Sequence, residues 1–156
     1  MKRWFFYVGL LAALAACSRI DGRRFQGLAT TSRGIETAVT SRAGLQKYRE
    51  LIGDYDRELA SAKAGAQTPT ERSLVGEYEA ARTGLQDILL VWEARDARGS
   101  DMLPMSDVLS ARIAREYSLG VNTNDPPSIY AGEAMQAIWD ATKTKLASAN
   151  AAAFGG

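Results

Sequence analysis

Carboxylates spaced along helical segments are the side chains best suited to chemistry in this sequence. Glu50, Asp54 and Glu58 follow one another at intervals of four residues, and Glu93 lies three residues before Asp96. Such spacings place side chains on one face of a helix, where two carboxylates can act as acid and base or bind a metal pair. Carboxylate-bridged metal sites in helical bundles also use Glu-x-x-His motifs, and this chain has no histidine. We therefore expect solvated helix faces with basic partners.

The other familiar catalytic motifs are missing from the sequence. Without histidine there is no Ser-His-Asp or Cys-His arrangement, and neither a Gly-x-Ser-x-Gly elbow nor a Ser-x-x-Lys pair occurs. No Walker A or Gly-x-Gly-x-x-Gly sequence is present for nucleotide binding. Residues 122–125 offer oxygen ligands but lack the glycine and glutamate of an EF-hand, so we expect a plain turn there. The sequence predicts no catalytic residue, no metal site and no cofactor.

The N-terminus carries the most specific signal. Lys2 and Arg3 precede an uncharged apolar stretch at residues 4–16. As a helix this stretch is about 20 Å long, which is too short for a hydrocarbon core of about 30 Å. This layout is typical of a cleaved signal peptide. Its last residues and the following cysteine, Leu14-Ala15-Ala16-Cys17, resemble the lipobox of bacterial lipoproteins at all four positions.

The resemblance implies a route and an anchor but not an activity. It implies that signal peptidase recognises Leu14, Ala15 and Ala16, so that residues 1–16 are removed. Cys17 is then lipidated and becomes the first residue of the mature protein. In lipoproteins the next residue influences sorting, and Ser18 implies the periplasmic face of the outer membrane in a bacterium with two membranes. The resemblance is confined to this N-terminal segment.

The charge balance argues against nucleic acid as a partner. Nineteen Lys and Arg residues against 18 Asp and Glu residues give the chain a formal charge of +1. A nearly neutral chain has no global field to attract a polyanion. The partners that we expect are the membrane, through the N-terminal lipid, and a protein of the cell envelope. The sequence leaves the oligomeric state open.

Helical periodicity dominates the rest of the chain. Apolar residues recur at intervals of three and four in residues 35–64 and again in residues 69–98, which predicts two helices of equal length. Thr68, Pro69 and Glu71 form the pattern of a capping box with proline at the first helical position. Since only four residues separate the two segments, we predict a long antiparallel hairpin.

The hairpin also has a predicted register. Residues equally distant from a turn at residues 65–68 should face each other, and five apolar pairs satisfy this condition: Leu45 with Ile88, Tyr48 with Leu85, Ile52 with Ala81, Tyr55 with Tyr78, and Leu59 with Leu74. We expect the Tyr55–Tyr78 pair to hold the helices apart or to turn both hydroxyls toward solvent.

The remaining segments complete a predicted all-α fold. Residues 17–32 hold arginines among Gly, Ser and Thr residues, which indicates a lipidated cysteine followed by a flexible basic tether. A short helix is expected from 106 to about 118 and a long helix from about 128 to 149, and no segment alternates long enough to predict a strand. The sequence thus predicts a small helical bundle at residues 33–150, built on the hairpin plus a short helix and a C-terminal long helix, with a disordered tail at residues 151–156.

Aromatic residues on the last helix suggest where a partner would bind. Trp139 lies with Met135 and Leu146 on a side offset from the main apolar stripe, and tryptophan is enriched at interfaces. A helix contacted on two sides would show the same pattern, so both interpretations stay open. We expect a non-enzymatic binding or scaffolding module for a protein partner. The alternatives are a domain that binds a small apolar ligand in a bundle core lined by Tyr48, Tyr55, Tyr78 and Trp92, and an enzyme that works with carboxylates alone.

Overall fold

The described residues form five α-helices, one short 3-10 helix and two short strands. The computed structural model describes residues 20–41 and 43–155. A 3-10 helix at Gly22–Phe25 leads into the helices α1 (Gln26–Thr40), α2 (Leu45–Gly65), α3 (Pro69–Arg98), α4 (Val108–Glu116) and α5 (Ala131–Phe154); the strands are β1 (Met102–Pro104) and β2 (Ser128–Tyr130). The predicted all-α helical bundle is confirmed. None of the described helices is long and apolar enough to cross a membrane.

Helices α2 and α3 form the predicted hairpin. The Tyr48 hydroxyl donates a hydrogen bond to the Leu85 carbonyl oxygen at 3.1 Å, and the Tyr55 hydroxyl donates to the Tyr78 carbonyl oxygen at 3.0 Å. Both bonds join residues that the register pairs, so the register is confirmed at these two positions. One expectation for this pair is that both hydroxyls face solvent. The Tyr55 hydroxyl instead points to α3, because a helix carbonyl keeps a second lone pair that a facing tyrosine can reach.

The boundaries of α3 are those that the sequence predicts. The Thr68 hydroxyl accepts a hydrogen bond from the Glu71 backbone N–H at 3.1 Å, and the Glu71 carboxylate accepts one from the Thr68 N–H at 3.1 Å. The helix ends before Gly99, whose φ of 62° is the left-handed conformation that glycine adopts without strain. Local capping chemistry therefore sets both ends of the longest helix.

The predicted helix at residues 35–64 is wrong, because the structure has two helices there. The first, α1, ends at Thr40 and folds back on α2, so that Gly27 lies against Glu58 and Gly34 against Leu51. The apolar spacing contains the signal for this break, since no apolar position of the stripe falls between Val39 and Leu45. Gly44 then precedes α2 as its N-cap.

Residues 20–32 of the predicted tether and residues 151–154 of the predicted tail belong to the folded domain. Phe25 and Leu28 are fully buried, and the Phe25 ring stacks on Tyr78 with 6.0 Å between centroids. At the other end, α5 continues to Phe154, and Ala153 is buried. The flexible tether at residues 17–32 is therefore wrong for residues 20–32, and the disordered tail is wrong for residues 151–154. Four residues of this segment are buried, Phe25, Leu28, Ala29 and Ser32, but only two of them are large apolar residues, so the sequence shows no clear apolar stripe.

The two strands are the other departure from the prediction. β1 and β2 pair antiparallel with Leu103 opposite Ile129, and both of these side chains are buried. Strands of three residues are too short to show alternation in the sequence. Pairing of residues 128–130 with β1 also delays the start of α5 to Ala131, later than the predicted start near residue 128.

The last helix packs against the hairpin, mainly on α3. Gly84 of α3 makes this approach close, because a methyl group at Gly84 would lie 2.0 Å from the Thr142 hydroxyl oxygen of α5. The Thr142 hydroxyl is itself buried and donates to the Ile138 carbonyl oxygen at 2.7 Å. Helix α3 is therefore packed between α2 and α5 at the centre of the bundle.

Candidate functional site

A buried carboxylate fixes the point where the chain enters the fold. Glu71 is 1% exposed. Its oxygens accept hydrogen bonds from the backbone N–H groups of Asp21 at 3.2 Å, Gln67 at 2.8 Å and Thr68 at 3.1 Å. The Arg24 guanidinium adds an ion pair at 3.0 Å. One side chain therefore joins the N-terminal segment to the turn between α2 and α3.

The electrostatics of this cluster favour the charged carboxylate. Burial by itself would raise the pKa of Glu71, but the three N–H donors and Arg24 outweigh it and hold the pKa below its usual value. Arg24 also donates to the Gly65 carbonyl oxygen at 2.8 Å, at the last residue of α2. We call this end of the bundle, formed by residues 20–24, 65–72 and 153–155, the anchor pole.

The anchor pole lies close to the lipobox cysteine in the sequence. Ile20 already packs against the hydrophobic core. Three residue steps separate it from Cys17, and they span at most about 11 Å. A lipid on Cys17 would therefore hold the anchor pole close to the membrane surface.

An open groove occupies the opposite end of the bundle. The groove has a volume of about 870 Å³. Its apolar floor consists of Val39 from α1, Ile88 and Trp92 from α3, and Met135 from α5. Trp92 also packs against the buried Tyr48, with 5.8 Å between ring centroids. The floor is thus continuous with the core of the hairpin.

The rim of this groove is polar and mixed in charge. Arg95, Asp101, Glu133 and Gln136 surround it, and the Arg95 Nε lies 2.6 Å from the Asp101 Oδ1. Tyr130 of β2 stands beside them with 46% of its surface exposed. A ligand in this groove would meet an apolar floor and charged edges.

The groove and the anchor pole are separated by the length of α3. Glu71 and Trp92 lie on this helix 21 residues apart, a distance of about 32 Å. The strands β1 and β2 flank the groove end, because β1 follows α3 and β2 precedes α5. The described part of the chain thus enters the bundle at one end and forms this groove at the other.

The predicted partner patch does not form on the surface. Met135 lines the groove, but Trp139 is only 5% exposed and Leu146 only 4%. Both line a crevice with Ser32 and Arg33 of α1, which covers this side of α5. Sequence reasoning left core and interface open, and the structure places Trp139 and Leu146 in the core because α1 belongs to the bundle.

The tyrosines expected around a core ligand are packed groups. The Tyr78 hydroxyl donates to the Asn150 Oδ1 at 2.7 Å, and burial raises the pKa of Tyr78 to about 12. Burial likewise raises the pKa values of Tyr48 and Tyr55, whose hydroxyls are bonded to α3. Of the four aromatics, the groove is lined by Trp92 alone. The opening therefore lies at the edge of the core.

Three of the acidic residues spaced along α2 and α3 lie beside basic partners. Glu50 lies 3.4 Å from Lys47, Asp54 pairs with Arg57, and Glu93 of α3 lies 2.8 Å from Arg49. Among residues 20–41 and 43–155 no group of three or more acidic, histidine or cysteine side chains is arranged to hold a metal ion.

Sequence reasoning missed one buried acid. Asp87 is 3% exposed, and it accepts hydrogen bonds from the Arg112 guanidinium at 2.6 and 3.1 Å and from the Tyr117 hydroxyl at 2.9 Å. This cluster ties α4 to α3. Asp87 lies between Gly84 and Val91 on a second buried side of α3, where the main apolar stripe gives no signal.

Comparison with known proteins bears on the N-terminus. Residues 1–18 match a family model described as the prokaryotic membrane lipoprotein lipid attachment site, a range that includes Leu14, Ala15, Ala16 and Cys17. The resemblance to bacterial lipoproteins is confirmed, and the protein is an exported, lipid-anchored protein of the cell envelope. The assignment of Cys17 as the acylated residue lies outside the described residues and stays a prediction. No curated protein and no solved structure matches the chain.

Proposed function

We propose that this lipoprotein is a non-enzymatic binding module that captures a segment of an envelope protein in the groove opposite its lipid anchor. The observation that carries the proposal is the placement of anchor pole and groove at the two ends of α3, about 32 Å apart. A partner bound at the groove would be tethered to the membrane while its binding segment is kept clear of the anchor.

The composition of the groove favours a protein segment over a small apolar ligand. The floor of Val39, Trp92 and Met135 suits an aliphatic or aromatic side chain, and methionine adapts its shape to different partners. The rim of Arg95, Asp101 and Glu133 can hydrogen-bond a peptide backbone or polar side chains, whereas a hydrocarbon gains nothing from it. Exposed Tyr130 adds the kind of residue that is enriched in binding hot spots.

The buried acids support a non-enzymatic role. Glu71 and Asp87 are the buried carboxylates of the described chain, and each is bound to an arginine and to further donors that join separate elements. These groups stabilise the fold and do not face the groove. The sequence offers no histidine to replace them as a general base near neutral pH.

The proposed location is the periplasmic face of the outer membrane. Its support is Ser18, the residue that follows the lipobox cysteine. Palmitate would be among the acyl chains on Cys17, and several chains supply more than the two signals that stable anchoring needs.

Site-specific photocrosslinking in intact cells tests the groove. A photoreactive residue at the exposed rim position Gln136 should capture one defined envelope protein, and Tyr130→Ala should weaken that adduct. The matched control is the same residue at Val108, which is 86% exposed on α4 and does not line the groove. The proposal fails if position 136 gives no protein adduct or the same adducts as position 108. The ligand alternative would be supported instead if the purified protein retained a small molecule and lost it when a larger side chain was introduced into the groove.

A further inference from the structure

We propose that the anchor pole docks directly on the bilayer, with Arg23 and Arg72 on the phosphates of anionic phospholipids and Phe154 at the headgroup boundary. The lipid anchor would then orient the bundle as well as retain it. The inference concerns the end of the molecule opposite the groove and is independent of what the groove binds.

The short connection to the lipid is the first argument. The described structure begins at Ile20, whose side chain packs on the core, so at most about 11 Å of chain separates Cys17 from the domain. This is comparable to the Debye length of about 8–10 Å at physiological salt, so charges on the anchor pole lie within range of the lipid phosphates. Charged residues at the groove end lie outside this range.

The distribution of charge is the second argument. The anchor pole contains three basic and two acidic residues and is preceded by Arg19, whereas the rest of the mature chain contains thirteen basic and sixteen acidic residues. A nearly neutral protein is therefore polarised, with its positive end beside the lipid attachment point. This is the polarity that an anionic surface attracts.

The exposed side chains at this pole fit a headgroup layer. The Arg23 side chain is 88% exposed. Its ion pair with Asp21 lies at the surface and contributes little stability, so Arg23 can exchange the Asp21 carboxylate for a lipid phosphate. Phe154 is 48% exposed at the end of α5, next to Gly22. Aromatic rings beside basic side chains are typical of surfaces that lie in the membrane interface.

The acidic groups at this pole do not oppose docking. Glu71 is buried and bound to Arg24 and three backbone donors, so it presents little charge to a membrane. Asp21 lies between Arg23 and Arg24, which lie 3.1 and 3.8 Å from it. Arg23 and Arg72 therefore present the accessible charge of the pole.

Fluorescence of the lipidated protein in vesicles tests the docking. With Cys17 occupied by the proposed lipid, Gln67→Cys introduces a single free thiol at the exposed turn of the anchor pole, and Val108→Cys does the same at the far end. Each protein is labelled with an environment-sensitive dye and reconstituted into vesicles of phosphatidylcholine alone or with phosphatidylglycerol. A nitroxide on the lipid headgroup should quench the dye at position 67, more strongly with phosphatidylglycerol, and leave the dye at position 108 unchanged.

Charge variants make the test specific. Arg23→Gln and Arg72→Gln should each lower the ratio of docked to undocked protein about fivefold in anionic vesicles. The double variant Lys47→Gln/Arg115→Gln removes two exposed charges far from the pole and should leave quenching unchanged. Circular dichroism melting checks that all variants stay folded. Equal quenching at positions 67 and 108, or quenching that is insensitive to phosphatidylglycerol and to both arginine variants, would overturn the proposal.

Discussion

Glu71 shows how much a single residue can do beyond its local role. The capping-box pattern predicts its bond to Thr68, because that partner is three residues away in the same segment. Its bonds to Asp21 and Arg24 join positions 50 and 47 residues apart, and no local pattern encodes them. The sequence therefore predicts the helix cap but not the contacts by which Glu71 binds the N-terminal segment at the anchor pole.

We expect Glu71→Ala to lower the free energy of unfolding by about 3 kcal/mol, since it leaves Arg24 and three backbone donors without their acceptor. The acid limb of the stability curve should change as well. The pKa of Glu71 is lowered in the folded state, so its contribution is present above the ordinary value of 4.5 and is lost as pH falls through the folded-state pKa. Urea unfolding between about pH 7 and about pH 3 measures both effects.

The control is Glu77→Gln, which removes an exposed carboxylate from the same helix. This variant should keep the stability and acid sensitivity of the parent. In Glu71→Gln, the free energy of unfolding should fall less steeply as the pH drops below the ordinary carboxyl pKa. An unchanged acid limb in Glu71→Gln would show that the carboxylate charge does not contribute as described.

At the scale of elements, the prediction succeeds where partners are neighbours in sequence. The two stripes of α2 and α3 are joined by a short turn, so a register follows from counting residues, and the Tyr48 and Tyr55 hydrogen bonds agree with it. The packing of α1 depends on Phe25 and Leu28, which belong to the core, while the polar Ser32 interrupts the apolar pattern on the same buried side. The close approach of α5 to Gly84 likewise depends on a residue without a side chain.

Gly84 gives the sharpest prediction at this scale. Gly84→Ala should destabilise the protein by about 1–3 kcal/mol, because the new methyl group would overlap the Thr142 hydroxyl 2.0 Å away. Thr142→Ala removes that oxygen and should recover part of the loss in the double variant. Chemical denaturation of the two single variants and the double variant measures this coupling.

Gly76→Ala serves as the matched control on the same helix. Nothing lies within 4 Å of a methyl group there, and alanine favours a helix over glycine by about 1 kcal/mol. Gly76→Ala should therefore stabilise the protein. If Gly84→Ala stabilised it to the same extent, the contact between α3 and α5 would be looser than the structure shows.

At the scale of the whole molecule, the fold places its two chemically distinct ends far apart. The lipobox segment leads into the anchor pole, and α3 carries the chain to the groove formed by α1, α3 and α5. The sequence predicts the anchor because a lipobox is a local motif. It does not predict the groove, whose residues come from segments between 39 and 136 that only the tertiary structure brings together.

The domain boundary offers a prediction for the molecule as a whole. A chain that begins at residue 20 should be soluble and unfold cooperatively, whereas a chain that begins at residue 33, the boundary expected from the sequence, should not. The shorter chain loses the buried Phe25 and Leu28 as well as the Arg24–Glu71 ion pair. Each buried side chain contributes about 2–5 kcal/mol, so their combined loss rivals the total stability of about 5–15 kcal/mol typical of a domain. Far-UV circular dichroism melting and amide dispersion in NMR spectra distinguish the outcomes, and equal melting temperatures for the two chains would return residues 20–32 to the role of a tether.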